Sequence, residues 1–320
     1  MAKVRIGGPK EFWSRLRSIS VKEIQLEANR PLSVAVVGAP ATRLHAVEAL
    51  RGADIARKNI SGDTSDLREY NSTHPEDGFP ESEALFDFVI DTGGGRTTDF
   101  RGCSVYSLAD IGGWDATIQR IFDDRPELML PLARSFPVFR AAASSEIIQQ
   151  TAMTNAEFSL ITGVVSAFPI FEIILPANAL SDIVVLTKNQ VMMVLRLAAA
   201  NGLEVNYRSR MKELVPILLN AFGWRSVARE IVGAVPAVGF LFRAMISYAG
   251  TIAVGRAVQM YYQTGQTVTR SQAQRIYREA YASSRDRVRA LADRIRLRGK
   301  ADKVEQIEQA RLEADKDQLQ

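Results

Sequence analysis

The sequence has only one cysteine and two histidines among its 320 residues. Cys103 alone cannot close an intrachain disulfide, and together with His45 and His74 it leaves too few side chains for a transition-metal site or a His-based nucleophilic triad. The first 30 residues are basic and lack an apolar segment, so we expect no secretory signal. The sequence identifies no catalytic residue, no metal site and no small-molecule substrate.

Charge and apolar residues are sorted along the chain. Residues 266–320 hold 13 basic and 9 acidic side chains and therefore carry the whole net charge of +4. Residues 158–186 contain only two charged side chains, and residues 231–255 contain only Arg243. No aromatic platform is interleaved with the C-terminal arginines, so we expect no nucleic-acid partner.

Four regions follow from this partition, and they predict an α+β protein that is mostly helical. The predicted regions are an N-terminal helix (1–30), a small parallel α/β domain (31–136), an apolar helical hairpin domain with an internal repeat (137–266) and a charged amphipathic helical tail (267–320).

The α/β domain is predicted from short apolar runs that alternate with helical spacing. Residues 32–37, 85–90 and 104–108 have the composition of buried strands, and residues 42–50 have the spacing of a helix. Residues 59–80 are polar and rich in turn residues, which predicts a mobile loop.

The turns after the first two strands resemble two motifs of a GTP-binding domain. The D-T-G-G sequence from Asp91 to Gly94 matches D-x-x-G, and Gly38 begins a loop that ends at Thr42 and Arg43. A phosphate loop needs a second glycine, a lysine and a hydroxyl after it, and all three are replaced here. Three alternatives follow for these turns. They form a tight structural turn, they bind GTP and Mg²⁺ weakly, or they support nucleotide hydrolysis. The residues that would bind the nucleotide are Gly38, Thr42, Arg43, Asp91 and Gly94.

The apolar region contains a repeat that predicts two helical hairpins. The sequence VVSAFP at 164–169 recurs as IVGAVP at 231–236, and each copy precedes a long apolar helix that ends in a glycine. Pro169, Pro236 and Gly239 are expected at the hairpin tips, because proline and glycine interrupt helices.

The second hairpin has a face of small residues suited to close helix contact. Ala249, Ala253 and Ala257 follow each other at intervals of four residues.

Two environments remain open for these helices. Hairpins can embed in a bilayer, where Asp182 and Arg243 would be costly, or they can form a soluble bundle in which Asp182 or Arg243 is a buried paired charge.

The tail begins as an amphipathic helix. Its apolar stripe consists of Tyr277, Tyr281, Val288, Leu291 and Ile295. Such a basic amphipathic helix can lie on anionic lipid, and the alternative is that the stripe packs on the helical bundle.

Several segments of the helical region resemble a YcjF-related family of bacterial helical domains of unknown function, which often follow Era-like GTPase domains. The segments are DIVVLTKNQ (182–190), LRLAAANG (195–202), FGWRSVAR (222–229), VPAVG (235–239) and SYAG (247–250). The resemblance covers about residues 150–285, and it implies a membrane-associated helical domain whose partner domain binds GTP. The lysine, the magnesium hydroxyl and the guanine-binding aspartate of that partner domain are missing here.

These observations together predict a non-enzymatic protein at the cytoplasmic face of the inner membrane, held there by embedded hairpins or peripherally. We expect a scaffold or regulatory role with the bilayer and a protein, including a second copy of the chain, as partners. The alternatives are an atypical GTP-binding switch or GTPase and a soluble helical adapter.

Overall fold

The structure, a computed structural model, describes residues 21–52, 66–71, 86–93, 103–165, 175–210, 212–214 and 240–317. Over these ranges the protein is mostly helical and contains one small parallel sheet. The predicted α+β class, with far more helix than strand, is confirmed.

The sheet has the strand order β2-β1-β3-β4, and all its neighbouring strands are parallel. The elements of this part are α1 (Val21–Ala28), β1 (Ser33–Gly38), α2 (Pro40–Arg51), β2 (Asp66–Asn71), β3 (Phe88–Asp91) and β4 (Val105–Ser107). The three predicted strands and the predicted helix between the first two are confirmed. Helix α1 ends before Pro31 as expected, because a proline disfavours helical geometry in the residue that precedes it.

Strand β2 corrects one prediction. It lies inside residues 59–80, which the composition predicts to be a loop, and pairs along its whole length with β1. The sequence of β2, DLREYN, has no apolar alternation that would reveal a strand. Its place at the edge of the sheet explains this, because an edge strand gains its stability from backbone pairing with one neighbour.

One face of the sheet belongs to the main hydrophobic core. This face carries five buried residues, Val34, Val36, Phe88, Ile90 and Tyr106. The same core continues without a break into the long helices, so the sheet and the helical region are packed together. Ala35, Val37 and Val89 form a separate buried cluster on the other face.

Residues 207–210 and 212–214 are helical, and seven further α-helices follow the sheet in the described part of the chain. They are α3 (Leu108–Ile111), α4 (Trp114–Asp124), α5 (Met129–Ser135), α6 (Arg140–Val165), α7 (Leu175–Ala200), α8 (Phe240–Thr264) and α9 (Arg270–Asp317). Helices α6, α7, α8 and α9 pack against one another to form the bundle. Helices α3 and α4 cap the sheet, and α5 connects it to the bundle.

Helix α6 runs antiparallel to both α7 and α8. Ser144, near its start, contacts Asn201 just after α7, whereas Asn155, further along, contacts Asn189. Likewise Ile148 lies against Gly255 of α8, whereas the later Asn155 contacts the earlier Thr251. Helices α7 and α8 are therefore parallel.

Helix α9 runs antiparallel to α8. Ala257, in the second half of α8, packs with Ala273 near the start of α9, whereas the ring of Phe242, near the start of α8, lies 5.7 Å from that of Tyr281 further along α9. It is thus parallel to α6. The ends at Val165, Leu175 and Phe240 consequently lie at one end of the bundle, which we call the tip end.

The predicted helix ends are confirmed. Gly202 and Gly265 follow α7 and α8 with φ angles of +75° and +70°, a left-handed conformation that glycine adopts without a steric penalty. The predicted hairpin tips at Pro169, Pro236 and Gly239 lie outside the described residues.

The apolar stripe of α9 packs on the bundle. Val288 and Leu291 are buried in the main core, and Tyr277, Tyr281 and Ile295 pack against it. The stripe is therefore covered by protein, which favours the second of the two alternatives for the tail.

Candidate functional site

The strand order places a crevice at the carboxyl edge of the sheet between β1 and β3. The chain leaves β1 for β2 on one side and returns to β3 on the other, and ligands of open α/β sheets bind where the order reverses in this way. Gly38 ends β1 and Asp91 ends β3, so the structure brings these two predicted site residues together.

The turn from β1 to α2 is very short. Only Ala39 separates the strand from the helix, whose first hydrogen bond runs from the Arg43 amide to the Ala39 carbonyl over 2.9 Å. Pro40 is the first helical residue and has no amide hydrogen to donate. The turn therefore does not form the ring of amide donors by which a phosphate loop holds its ligand.

Thr92 occupies the space beside Gly38. A β-carbon placed on Gly38 would overlap Thr92 Oγ1 and would lie 3.1 Å from Thr92 Cβ, and the φ of Gly38 is +152°. Thr92 Oγ1 donates a hydrogen bond to the Val37 carbonyl over 3.1 Å and lies 3.0 Å from Thr42 Oγ1. Gly38 is thus needed for the close approach of the protein's own threonine.

The other predicted nucleotide-binding residues have different positions. Asp91 is 8% exposed, and its Oδ1 accepts a hydrogen bond from the Gly93 amide over 2.9 Å. Arg43 is half-buried on the first turn of α2. Gly94 lies outside the described residues. The edge therefore offers one carboxylate and two threonine hydroxyls to a ligand.

Thr92 is the residue of this site that the sequence analysis missed. Thr92 is the first x of the D-x-x-G motif, between Asp91 and Gly94, and that position of the motif accepts any side chain. A hydroxyl directly after a buried strand, opposite the glycine of a neighbouring strand, is the signal that could have identified it.

The predicted packing residues Ala249 and Ala253 are buried on α8, and Ala257 of the same face packs with Val268 and Ala273. Ala249 and Ala253 are fully buried, and a β-carbon on Gly255 would lie 2.7 Å from Ile148 Cγ1 and 3.1 Å from Met193 Sδ. The close approach of α8 to α6 and α7 is made at Gly255, which lies on a different side of the helix from these alanines.

Arg243 is exposed on the first turn of α8, so of the two side chains that a soluble bundle could bury as a paired charge it is not the buried one. Its position at the helix end explains this, because a long side chain there reaches solvent easily. Asp182 lies on α7, in the stretch of that helix whose side chains are outside the description.

A buried hydrogen-bond network crosses the bundle, and no sequence pattern indicated it. Asn155 Nδ2 donates to Thr251 Oγ1 over 2.9 Å, and Asn155 Oδ1 accepts from Asn189 Nδ2 over 2.8 Å. Ser247 donates to the carbonyl of Asn155. Polar groups buried in an apolar bundle favour the one alignment of helices in which they are paired.

A second polar cluster fastens the segment after α7 to the end of α8. Glu213 accepts hydrogen bonds from Arg210 over 2.6 Å and from the Tyr261 hydroxyl over 2.8 Å. The bond to Glu213 raises the pKa of Tyr261, and burial raises the pKa of the adjacent Tyr262. The Tyr261–Glu213 bond joins two parts of the chain, and Arg210 holds the shared carboxylate from within its own segment, which indicates a structural cluster.

Comparisons with protein-family models, with curated proteins and with solved structures gave no match for this chain. The resemblance to the YcjF-related family therefore stays a prediction. Among the helices that the structure describes, none combines the length and apolar character needed to cross a bilayer.

Proposed function

We propose that the chain is a non-catalytic scaffold or regulatory protein in which a degenerate GTPase-like α/β domain is joined to helical hairpins. The observation that supports this most directly is the Thr92 side chain beside Gly38 at the carboxyl edge of the sheet.

Three properties of this edge argue against nucleotide hydrolysis. The turn ends in Pro40, so it supplies too few amide donors to surround a phosphate group. The Thr92 and Thr42 hydroxyls lie within hydrogen-bonding distance of each other and of the Val37 and Ala39 carbonyls, where a ligand would compete with them. A lysine for the β- and γ-phosphates is also missing from the loop.

A nucleotide-dependent switch is the second candidate, and one observation favours it. Asp91 and Thr42 lie at the edge where the strand order reverses, which is the usual ligand position of such sheets. A carboxylate and a hydroxyl at that position can hold a magnesium ion through water.

Calorimetric titration of the full chain with GTP or ATP, each with Mg²⁺, separates the two candidates. We expect no heat of binding from either nucleotide. Micromolar binding that Asp91→Ala abolishes, while the exposed-site variant Asp110→Ala leaves it unchanged, would overturn the proposal and favour the switch.

For the membrane, we propose attachment of the protein at the cytoplasmic surface. Tyr281 of α9 contacts Phe242, which lies at the tip end of the bundle. From Tyr281 the helix continues for 36 residues to Asp317, in the direction that leads beyond the tip end. At 1.5 Å per residue this part of α9 is about 54 Å long. That part of α9 is rich in charged residues, and a bilayer core is ~30 Å thick. Insertion of the tip end along the helix axes would carry these charges into hydrocarbon, so a surface position has the lower cost.

Fractionation of cells that express the full chain tests this attachment. We expect the protein in the membrane fraction and its release by carbonate or high salt. Extraction by detergent alone would contradict surface attachment and support embedded hairpins, and recovery in the soluble fraction from the start would support the adapter alternative.

A further inference from the structure

Among the residues that the structure describes, Arg134 is the one arginine that is almost wholly buried. It lies in the last turn of α5 and is 7% exposed. Its Nη1 donates a hydrogen bond over 2.9 Å to the Leu203 carbonyl, just after α7. Burial lowers the pKa of Arg134, because the surroundings stabilise its charge less than water does.

Arg140 begins α6, and its side chain folds back over the end of α5. Its Nε donates to the Ala133 carbonyl over 3.2 Å, and its Nη2 donates to the Arg134 carbonyl over 3.5 Å. Burial lowers the pKa of Arg140, and repulsion from the charge of Arg134 lowers it further. The two guanidinium groups are therefore near enough to repel each other.

Neither guanidinium group has a counter-ion in the described part of the chain. Their hydrogen bonds go to backbone carbonyls, and no carboxylate of the described ranges lies within 4 Å of them. Other arginines do have a carboxylate at such a distance, in the pairs Arg30–Asp87, Arg120–Asp124, Arg125–Glu127, Arg196–Glu27 and Arg210–Glu213. The arginines of these pairs are all more exposed than Arg134. A buried charge of this kind is costly unless something else supplies the negative charge.

Helix ends supply only part of that negative charge. Arg140 contacts the carbonyl end of α5, and Arg134 contacts a carbonyl just beyond the end of α7. Such an end is equivalent to about half a negative charge. The N-terminus of α6, a helix of 26 residues, lies at Arg140 and adds about half a positive charge. The three helix ends together therefore offset only about half of one charge, and the site stays positive.

We propose that Arg134 and Arg140 bind a phosphate group at the junction of α5, α6 and α7. A guanidinium group carries several N–H donors in one plane, and the carbonyl contacts use one donor of Arg134 and two of Arg140. The remaining donors suit the oxygens of a phosphate group, which arginine binds through paired hydrogen bonds. The nearby helix N-terminus favours the same ligand. Arg140 is half-buried, so a ligand can reach it from solvent.

This site is separate from the nucleotide edge and from the proposed membrane surface. It contains none of the residues at the carboxyl edge of the sheet. It lies at the end of the bundle opposite the tip end, because α7 runs from Leu175 at the tip end to Ala200. A bound phosphate group would replace the repulsion between the two arginines by attraction to a shared anion. Since α5 connects the sheet to the bundle, the ligand would hold these two parts more firmly together.

Titration calorimetry and thermal unfolding of the full chain with inorganic phosphate test the site. We expect saturable binding of one phosphate per chain. We also expect phosphate to raise Tm more than potassium chloride does at the same ionic strength, because a ligand that binds only the folded state stabilises it. Absence of saturable binding, or an equal rise of Tm with chloride, would overturn the proposal.

Substitutions of the two arginines assign the binding to this site. Arg140→Gln should weaken phosphate binding by about tenfold or more, because a charge and its hydrogen bonds are lost. Arg140→Lys keeps the positive charge and should weaken binding less. Arg134→Gln is a second variant and should give a loss like that of Arg140→Gln. Thermal unfolding without phosphate shows whether each variant folds.

Arg278→Gln is the matched control, because it makes the same change at an exposed arginine of α9. It should leave the affinity for phosphate unchanged. A purely structural role of Arg140 would lower the Tm of Arg140→Gln and leave its affinity for phosphate equal to that of the unaltered chain. That result would contradict the proposal.

Two further probes identify the chemistry of the ligand. Glycerol phosphate distinguishes a free phosphate ion from a phosphate group on a larger molecule. Tighter binding of the ester would support the site and indicate a larger ligand, and weaker binding would support it with free phosphate as the ligand. Acetate should not compete with phosphate, and full displacement of phosphate by an equal concentration of acetate would overturn the assignment to phosphate.

Discussion

Gly38 in the sheet and Gly255 in the bundle each let another element approach where a β-carbon would not fit. At Gly38 the neighbour is the hydroxyl of Thr92, which bonds to a backbone carbonyl of β1. At Gly255 the neighbours are Ile148 and Met193, which are apolar.

The two close approaches have different consequences. In the sheet, the missing side chain allows a polar group of the protein to take the position next to the first strand, where a ligand would otherwise approach. In the bundle, it brings three helices close enough for the buried amide of Asn155 to reach Asn189 and Thr251. At the sheet edge, the Thr92 hydrogen bond fills the space beside Gly38. In the bundle, the hydrogen bonds of Asn155 align the three helices.

The largest effect is expected from breaking the alignment of the bundle. Asn155→Leu should lower the free energy of unfolding by about 3 kcal/mol, because Asn189 loses its acceptor and Thr251 loses its donor in a fully buried position. Urea denaturation measures the loss. Thr154→Ala, at the exposed neighbour, is the control and should change stability by less than about 0.5 kcal/mol. A loss below about 1 kcal/mol for Asn155→Leu would mean that the network contributes little.

The next effect concerns the sheet edge. Gly38→Ala should lower the free energy of unfolding by about 2 kcal/mol, since the new methyl group overlaps Thr92 Oγ1 and the backbone has a positive φ. Thr92→Ala alone should lower it by about 1 kcal/mol, because the hydrogen bond to the Val37 carbonyl is lost. In a double-mutant cycle the two changes together should cost less than their sum, because removing the hydroxyl makes room for the methyl group. Simple additivity would show that the contact is not what makes Gly38 necessary.

The smallest effect contrasts two glycines of the same helix. Gly255→Ala should destabilise the fold by about 1 kcal/mol, because the clash with Ile148 exceeds the gain in helix propensity. Gly250→Ala should stabilise it by about 0.5 kcal/mol, since nothing lies within 4 Å of the added β-carbon. Thermal unfolding of both variants gives the comparison, and effects of the same sign would contradict the assigned close approach.

Much of the local structure could be predicted because it depends on neighbouring residues. The end of α1 before Pro31, the glycines after α7 and α8 and the apolar stripe of α9 all follow from backbone preference or helical periodicity. Strand β2 could not be predicted in the same way, because its polar sequence forms a strand only next to β1.

The candidate site was predicted in part. Gly38, Thr42 and Asp91 do meet at one edge of the sheet, because the carboxyl ends of parallel strands lie together. Whether that edge is open or closed depends on Thr92, whose contact with Val37 joins residues 55 positions apart in the chain. No local pattern indicates which side chain will occupy such a space.

The sequence by itself determined three of the four strands, the helix between the first two, the breaks after α7 and α8 and the face of α9 that is buried, because these features depend on propensities and spacing over a few turns. Only the tertiary structure decided that Thr92 lies against Gly38, that Arg243 is exposed and that Asn155 meets Thr251, 96 residues away. These outcomes depend on how whole elements pack, and a difference of an ångström in that packing changes which side chain fits.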